Sequence, residues 1–187
     1  MKVSIGKYPG MRSKKERVVK IRIDRWDTWN MDHTLALMIT PMLKQLKATK
    51  HGAPNTEDTD VPENLRSVNA ALKEKEYDTD SLHFFRWEWI LDEMIWAFEQ
   101  MLDEESESQF HTGEIHHLWQ ALDKDDNKLG EPTELGNKIK IKGTKYYQML
   151  KGPNDTNVHD TEGHQKHEDR KRNGFRLFGT YYQCLWD

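Results

Sequence analysis

The sequence predicts an α+β fold: three main helices packed together with a small antiparallel sheet, in a single domain over 1–187 with an irregular β insertion at 110–145. Three observations predict it. A helical apolar stripe runs through "MDHTLALMITPMLKQLKATK", "RWEWILDEMIWAFEQM" is apolar on nearly every side, and "KVSIG" and "RVVKIRID" alternate with period two. A chain of 187 residues buries enough apolar surface to need no disulfide staple.

Along the chain, Val3 and Ile5, then Val19, Ile21 and Ile23, fall on one face of two strands, and "KYPGMRSKKE" links them as a long hairpin loop. "DTWN" opens the first helix, about Met31 to Lys50, with Asn30 or Asp32 as N-cap. Its stripe is Leu35, Met38, Ile39, Met42, Leu43 and Leu46. Pro41 removes the bond to the Leu37 carbonyl, but the stripe keeps phase across it, which predicts a kinked helix rather than a restart at Thr40. "VPENLRSVNAALKE" allows a short helix from Pro62, and a second long helix covers about Leu82 to Leu102. The helix dipole is negative at its C-terminus, so the acidic "DEESES" belongs past that end or against a basic segment such as "RSKK" or "RKR".

Residues 110–147 read as irregular β structure: "EIHHLWQAL", a turn at "DKDDNK", then "NKIKIKG" with Ile139 and Ile141 alternating. A last helix, about Gln165 to Leu185, is basic early and aromatic late, with Phe175, Phe178, Tyr182 and Leu185 as its buried edge. Trp87, Trp89, Trp96, Phe84, Phe85 and Phe98 share the second helix, where a core role is expected; Trp26, Trp29, Trp119 and Trp186 lie at element edges and suit a pocket or interface.

Composition excludes several classes. A net charge of −4, from 28 bases and 32 acids, argues against general nucleic-acid binding. The start "MKVSIGKYPG" lacks the apolar core of a signal peptide, and no run is long enough to span a bilayer, so no membrane role is expected. One cysteine, Cys184, permits no internal disulfide and fits a reducing cytosol. There is no phosphate-binding loop, dinucleotide fingerprint or nucleophile elbow.

Four stretches, "DTWNMDHTLALMITPMLKQLKATKHGAP", "DVPENLR", "RWEWILDEMIWAFEQ" and "NGFRLFGTYYQCLWD", resemble in order and wording a family of small tailed-bacteriophage proteins. The likeness covers roughly 17–102 and 145–187; the family form carries lysine where Thr180 stands. The resemblance implies a phage-encoded protein acting in the host bacterial cytoplasm or carried in a particle, and it brings no catalytic residues.

The chemistry-bearing patterns are few. His33, Thr40, Lys44, Lys47 and His51 line one side of the first helix, just after Trp26 and Trp29. Aromatic faces stack bases and lysines hold phosphate as point charges. The same Lys47, Lys50 and His51 also complement the helix dipole, with Gly52 and Pro54 ending the helix. Arg172 and Arg176, four apart, form a plausible phosphate fork or pair with the acid-rich second helix. Glu88, Asp92 and Glu99 share a helix side, and Glu88 and Asp92 are expected to pair with Arg86, Arg66 or the basic start of the last helix. The histidines fall into two groups, His111, His116 and His117, then His159, His164 and His167, at spacings that match no standard metal motif. "DKDDNKLGEPTE" imitates a calcium loop, but Lys128 stands where glycine is needed.

The expectation is therefore a non-enzymatic phage accessory protein that binds and sequesters a small anionic ligand, a nucleotide defence signal of the host. Trp26 and Trp29 stack, Lys44, Lys47, Arg172 and Arg176 hold phosphate, and His33 hydrogen-bonds. It expects a homo-oligomer and no catalytic residue, metal or cofactor. The alternatives are a protein-interaction or virion component, and a metal-dependent enzyme.

Overall fold

The computed structural model describes residues 1–7, 9–10, 15–73, 75–134 and 141–186. The fold is α+β, with three long helices and small antiparallel sheets. The chain divides into two compact units, one of residues 1–104 with 168–187 and one of residues 105–167. The expected insertion at 110–145 lies inside the second.

In the first unit, β1 (Lys2–Ile5) and β2 (Val19–Arg22) form a two-stranded sheet of their own, with Val3 opposite Ile21 and Ile5 opposite Val19. The alternation is as expected, but the hairpin does not join the strands of 110–145 into one sheet. Helix α1 (Met31–Thr49) follows, with Asn30 at its N-cap. It runs unbroken through Pro41. The missing proline N–H leaves the turn short of one bond, and the Thr40 hydroxyl adds one to the Ala36 carbonyl at 2.8 Å.

The buried side of α1 is Ala36, Thr40 and Leu43, a narrower strip than the apolar stripe. Leu35 and Met42 of that stripe are exposed. Ala36 and Thr40 carry short side chains where α1 packs against the core around α2 (His83–Leu102), and longer members of the stripe stay uncovered. Helix α2 is the centre of the unit, as its all-round apolar pattern predicts: Trp87, Ile90, Leu91 and Met94 are almost fully buried. Phe84 and Phe85, expected in the core, are exposed in the first turn.

Helix α3 (Thr161–Thr180) is shared by sequence between the units, and its later part packs on α2. Phe98 takes Phe175 and Phe178 edge-on, at ring-centroid distances of 5.2 and 5.0 Å. The helix starts earlier and ends earlier than its aromatic tail suggests. Residues 182–184 form a 3-10 turn, so Tyr181 rather than Tyr182 is buried, with Gly174 and Leu177 in line with it. Between α1 and α2 the chain makes 3-10 turns at Glu63–Leu65 and Ser67–Asn69 in place of the expected short α-helix.

The second unit has a three-stranded sheet in the order β5 (Lys128–Thr133), β4 (His117–Leu122), β6 (Tyr146–Lys151). A second pair joins β3 (His111–Thr112) to β7 (Val158–His159). Of the strand expected at "NKIKIKG", 137–140 lie outside the described residues and 141–143 lead into a turn rather than a strand, and β6 is a strand that the sequence pattern did not announce. Buried Gln120 donates from Nε2 to the carbonyls of Ala121 and Gly130, both at 3.1 Å, beside the irregularity in the β4–β5 register.

Candidate functional site

The basic side of α1 runs antiparallel to the acidic side of α2, and the two zip together. Lys44 meets Glu99 at 2.6 Å, Lys47 meets Asp92 at 2.5 Å, and Lys50 meets Glu88 at 3.7 Å. Glu88 and Asp92 therefore pair with lysines of α1 and its C-cap, not with Arg86, Arg66 or the last helix. A phosphate approaching Lys44 or Lys47 meets a carboxylate of like charge already at the ammonium. Arg172 bridges to Asp169 at 3.1 Å on its own helix. Arg176 holds Asn173 and also reaches the buried Asp60 at 2.8 Å. The arginine of the acid-rich helix contact is a third one, Arg170, which grips Glu93 through two nitrogens at 2.7 and 3.0 Å. Its guanidinium lies 4.0 Å from the Trp96 ring centre, and its pKa is raised mainly by that hydrogen bonding to Glu93.

Trp26 and Trp29 remain open. Trp26 is 62% and Trp29 84% exposed, with rings edge-to-face at 6.2 Å. The Arg25 guanidinium sits over the Trp26 ring at 4.7 Å. Asp24 and Asp27 fix the turn by a capping box, and Asp27 also holds the N-terminal ammonium at 3.0 Å. That turn ties the hairpin to the aromatic pair. His33 is half-buried at the start of α1, with its backbone N–H bonded to the Asp32 carboxylate at 2.9 Å.

The hairpin is exposed on both faces. Val3, Ile5, Val19 and Ile21 make a continuous apolar face, each between 40% and 57% exposed. The other face carries Lys2, Lys20 and Arg22. Residues 1–25 hold nine bases and two acids, leaving nineteen bases and thirty acids for the rest. A second apolar surface is a groove of about 880 Å³ between α1 and the C-terminal segment, lined by Leu35, Ile39, Met42, Phe178, Leu185 and Trp186.

Sequence patterns alone missed a set of buried polar groups that fasten the 51–82 segment. Tyr181 donates its hydroxyl hydrogen to Asp60 at 2.8 Å and accepts the Glu57 N–H at 3.1 Å. Arg86 donates to Asp80 at 2.5 Å and to the Leu65 carbonyl at 3.1 Å, and His83 meets the Ala53 carbonyl at 3.1 Å. Asp58 accepts the backbone N–H and hydroxyl of Ser67, which holds its carboxyl below the usual range. Together these shape a cleft of about 500 Å³ floored by His83 and Arg86 and rimmed by Asp58, Glu76, Asp78 and Asp80. Its charge is unsuited to an anion. "DVPENLR" carries Asp60 and Leu65, but no periodicity or spacing singles them out.

Burial, with the neighbouring Asp60, pushes the Tyr181 phenol up to about 12. In the unfolded chain the phenol ionises near its ordinary value of 10.0, so the unfolded state loses the proton first. Stability is therefore expected to fall as pH rises from about 10 towards 12. Urea denaturation across that range should show the decline in the wild type and a shallower one in Tyr181→Phe.

In the calcium-like loop, one oxygen of Asp123 accepts from the backbone N–H groups of Asp125 and Asn127 at 2.8 and 3.0 Å, and the Asn127 amide takes the other at 3.0 Å. That is an Asx turn closing the β4–β5 hairpin. No family model, curated protein or solved structure matches the chain. No helix among the described residues is long and apolar enough to cross a membrane.

Proposed function

We propose that this chain is a non-enzymatic binding protein whose N-terminal hairpin and adjoining tryptophan pair form the contact surface for a protein partner. The single observation that carries the reading is the unburied apolar face of the hairpin. A two-stranded hairpin is marginal in water by itself, and an apolar face beside two exposed tryptophans is a surface that binding would cover. The partner that fits presents an apolar centre with acids around it, because the flanks of the hairpin are basic. The resemblance noted above supports a phage setting, in the host cytoplasm or in a particle.

The test compares wild type with Val3→Thr/Ile21→Thr, which is expected to keep the same thermal unfolding because both positions are exposed and the directly opposed side chains stay β-branched. A partner recovered with the wild type, reconstituted from purified components at fixed stoichiometry and lost with the variant, supports the reading. Equal binding by both chains, or no stoichiometric partner, overturns it.

A second reading, sequestration of an anionic nucleotide, is favoured by one feature: the cation-flanked pair Arg25, Trp26 and Trp29. Stacking on such a pair contributes about 1–3 kcal/mol per base. The phosphate would then lie towards Arg25 and the basic hairpin, because Lys44 and Lys47 are taken by Glu99 and Asp92. Thermal melting against a nucleotide series separates the two readings. A shift removed by Trp26→Ala and kept by Lys44→Glu supports the nucleotide.

A further inference from the structure

We infer that the second unit holds a borderline divalent metal ion, of the class of Zn²⁺, Co²⁺ or Ni²⁺, between His111, His159 and His164 with Glu107. The sequence separates these residues into two histidine groups, and pairing of β3 with β7 joins the groups. His111 and His159 are direct cross-strand partners, with rings stacked at 4.5 Å between centres. His164, in the first turn of α3, brings its ring to 5.1 Å from that of His159. Its Nε2 lies 3.4 Å from the Glu107 carboxylate.

Directly opposed residues on antiparallel strands hold their Cβ atoms about 4.5–5.5 Å apart, a span from which two imidazoles can converge on one ion. Three imidazoles and one carboxylate form a tetrahedral set of the kind zinc takes, with metal–ligand distances of about 2.0–2.2 Å. His111 and His159 are exposed, so turning their rings from the stacked to the chelating arrangement gives up the contact between them but displaces no buried side chain.

The backbone beneath these side chains is pinned on both sides. Gly113 has a φ of +83°, and a Cβ there would come within 2.8 Å of the Thr156 carbonyl carbon, so only glycine permits this approach. Thr156 and Glu114 then exchange two bonds at 3.0 Å, and the Asp160 N–H reaches the Phe110 carbonyl at 2.8 Å. The ligand-bearing strands are thus set before any ion arrives. The unit also has a use for a staple. Its buried side chains are few, chiefly Phe110, Gln120, Ala121 and Leu122, and the β3–β7 ladder is two residues long on each side. Small units with thin cores are commonly completed by a metal.

The inference is independent of the proposed function, since none of these residues lies in the hairpin. The experiment titrates the full, chelator-treated chain with Co²⁺ and Zn²⁺, following the visible cobalt bands and thermal unfolding. One ion per chain is expected, with imidazole-type cobalt spectra and a raised melting temperature. His111→Gln and His159→Gln, both at exposed positions, should each weaken binding about tenfold or more, and the double variant should lose the stabilisation. His33→Gln should change nothing. Absence of binding at micromolar metal overturns the site. Full affinity retained in the folded double variant overturns it as well, by placing the ion elsewhere.

Discussion

Replacing Gly174 with valine is expected to destabilise the first unit by about 3 kcal/mol, at the upper end of the usual cost of overpacking. Gly174 is buried where α3 crosses α2. A Cβ at this position would collide with the Ala97 side chain and come within 2.6 Å of the Glu93 carbonyl oxygen. Neither neighbour can yield cheaply, because one is a methyl fixed to its helix and the other is backbone. The helices must separate, and the Phe98 contacts with Phe175 and Phe178 beside the crossing would open with them. For a chain of this length such a loss corresponds to a fall in melting temperature of about 6–12 °C. Gly179→Ala is the control. Nothing lies within 4 Å of a Cβ at that position, so alanine's better helix propensity should leave the protein unchanged or slightly more stable. Comparable losses at both glycines would show that the close crossing does not set the cost.

The Gly174 crossing marks the limit of what the sequence alone conveys. Apolar periodicity located α1 and α2 to within two residues, because a long stripe averages over many side chains. The same signal misjudged which part of α1 is buried: a stripe reports apolar positions, whereas burial on Ala36 and Thr40 depends on how closely another helix approaches. The end of α3 was misplaced because "FRLFGTYYQCLW" stays aromatic after the helix has stopped at Thr180. For the candidate site, Lys44 and Lys47 read as open cations only while their partners were unknown. Glu99 and Asp92 were visible as a side of α2, but the antiparallel register that sets them against α1 is a tertiary fact. His111 and His159 could not be joined by spacing, since 48 positions divide them and only strand pairing closes the gap. Trp26 and Trp29 were legible, because a tryptophan outside any apolar stripe has no core to enter.

Replacing Arg86 with methionine is expected to cost about 3–5 kcal/mol, the range found when one partner of a buried ion pair is removed. Arg86 is 4% exposed, and methionine fills much of the same space, so packing is not the main loss. The loss is electrostatic: Asp80 keeps its charge in a site where only 14% of its side chain meets solvent, with the Leu82 N–H as its remaining donor. The Leu65 carbonyl also loses the Arg86 hydrogen bond, which loosens the turns that carry the 63–69 segment. Hydrogen bonding from Arg86 is the first cause holding the Asp80 carboxyl below its ordinary value. A depressed carboxylate contributes stability that is present above the unfolded value of 3.8 and lost as pH falls through the lower folded value. Wild type and Arg86→Met should thus differ fully near neutrality and converge in acid, where Asp80 is protonated in both. The double variant Arg86→Met/Asp80→Asn removes the stranded charge while keeping an acceptor for the Leu82 N–H. It should recover more than half of the single-variant loss, a coupling that a thermodynamic cycle measures directly. If the double variant is as unstable as the single one, Arg86 acts through the shape of the cleft floor rather than through its charge.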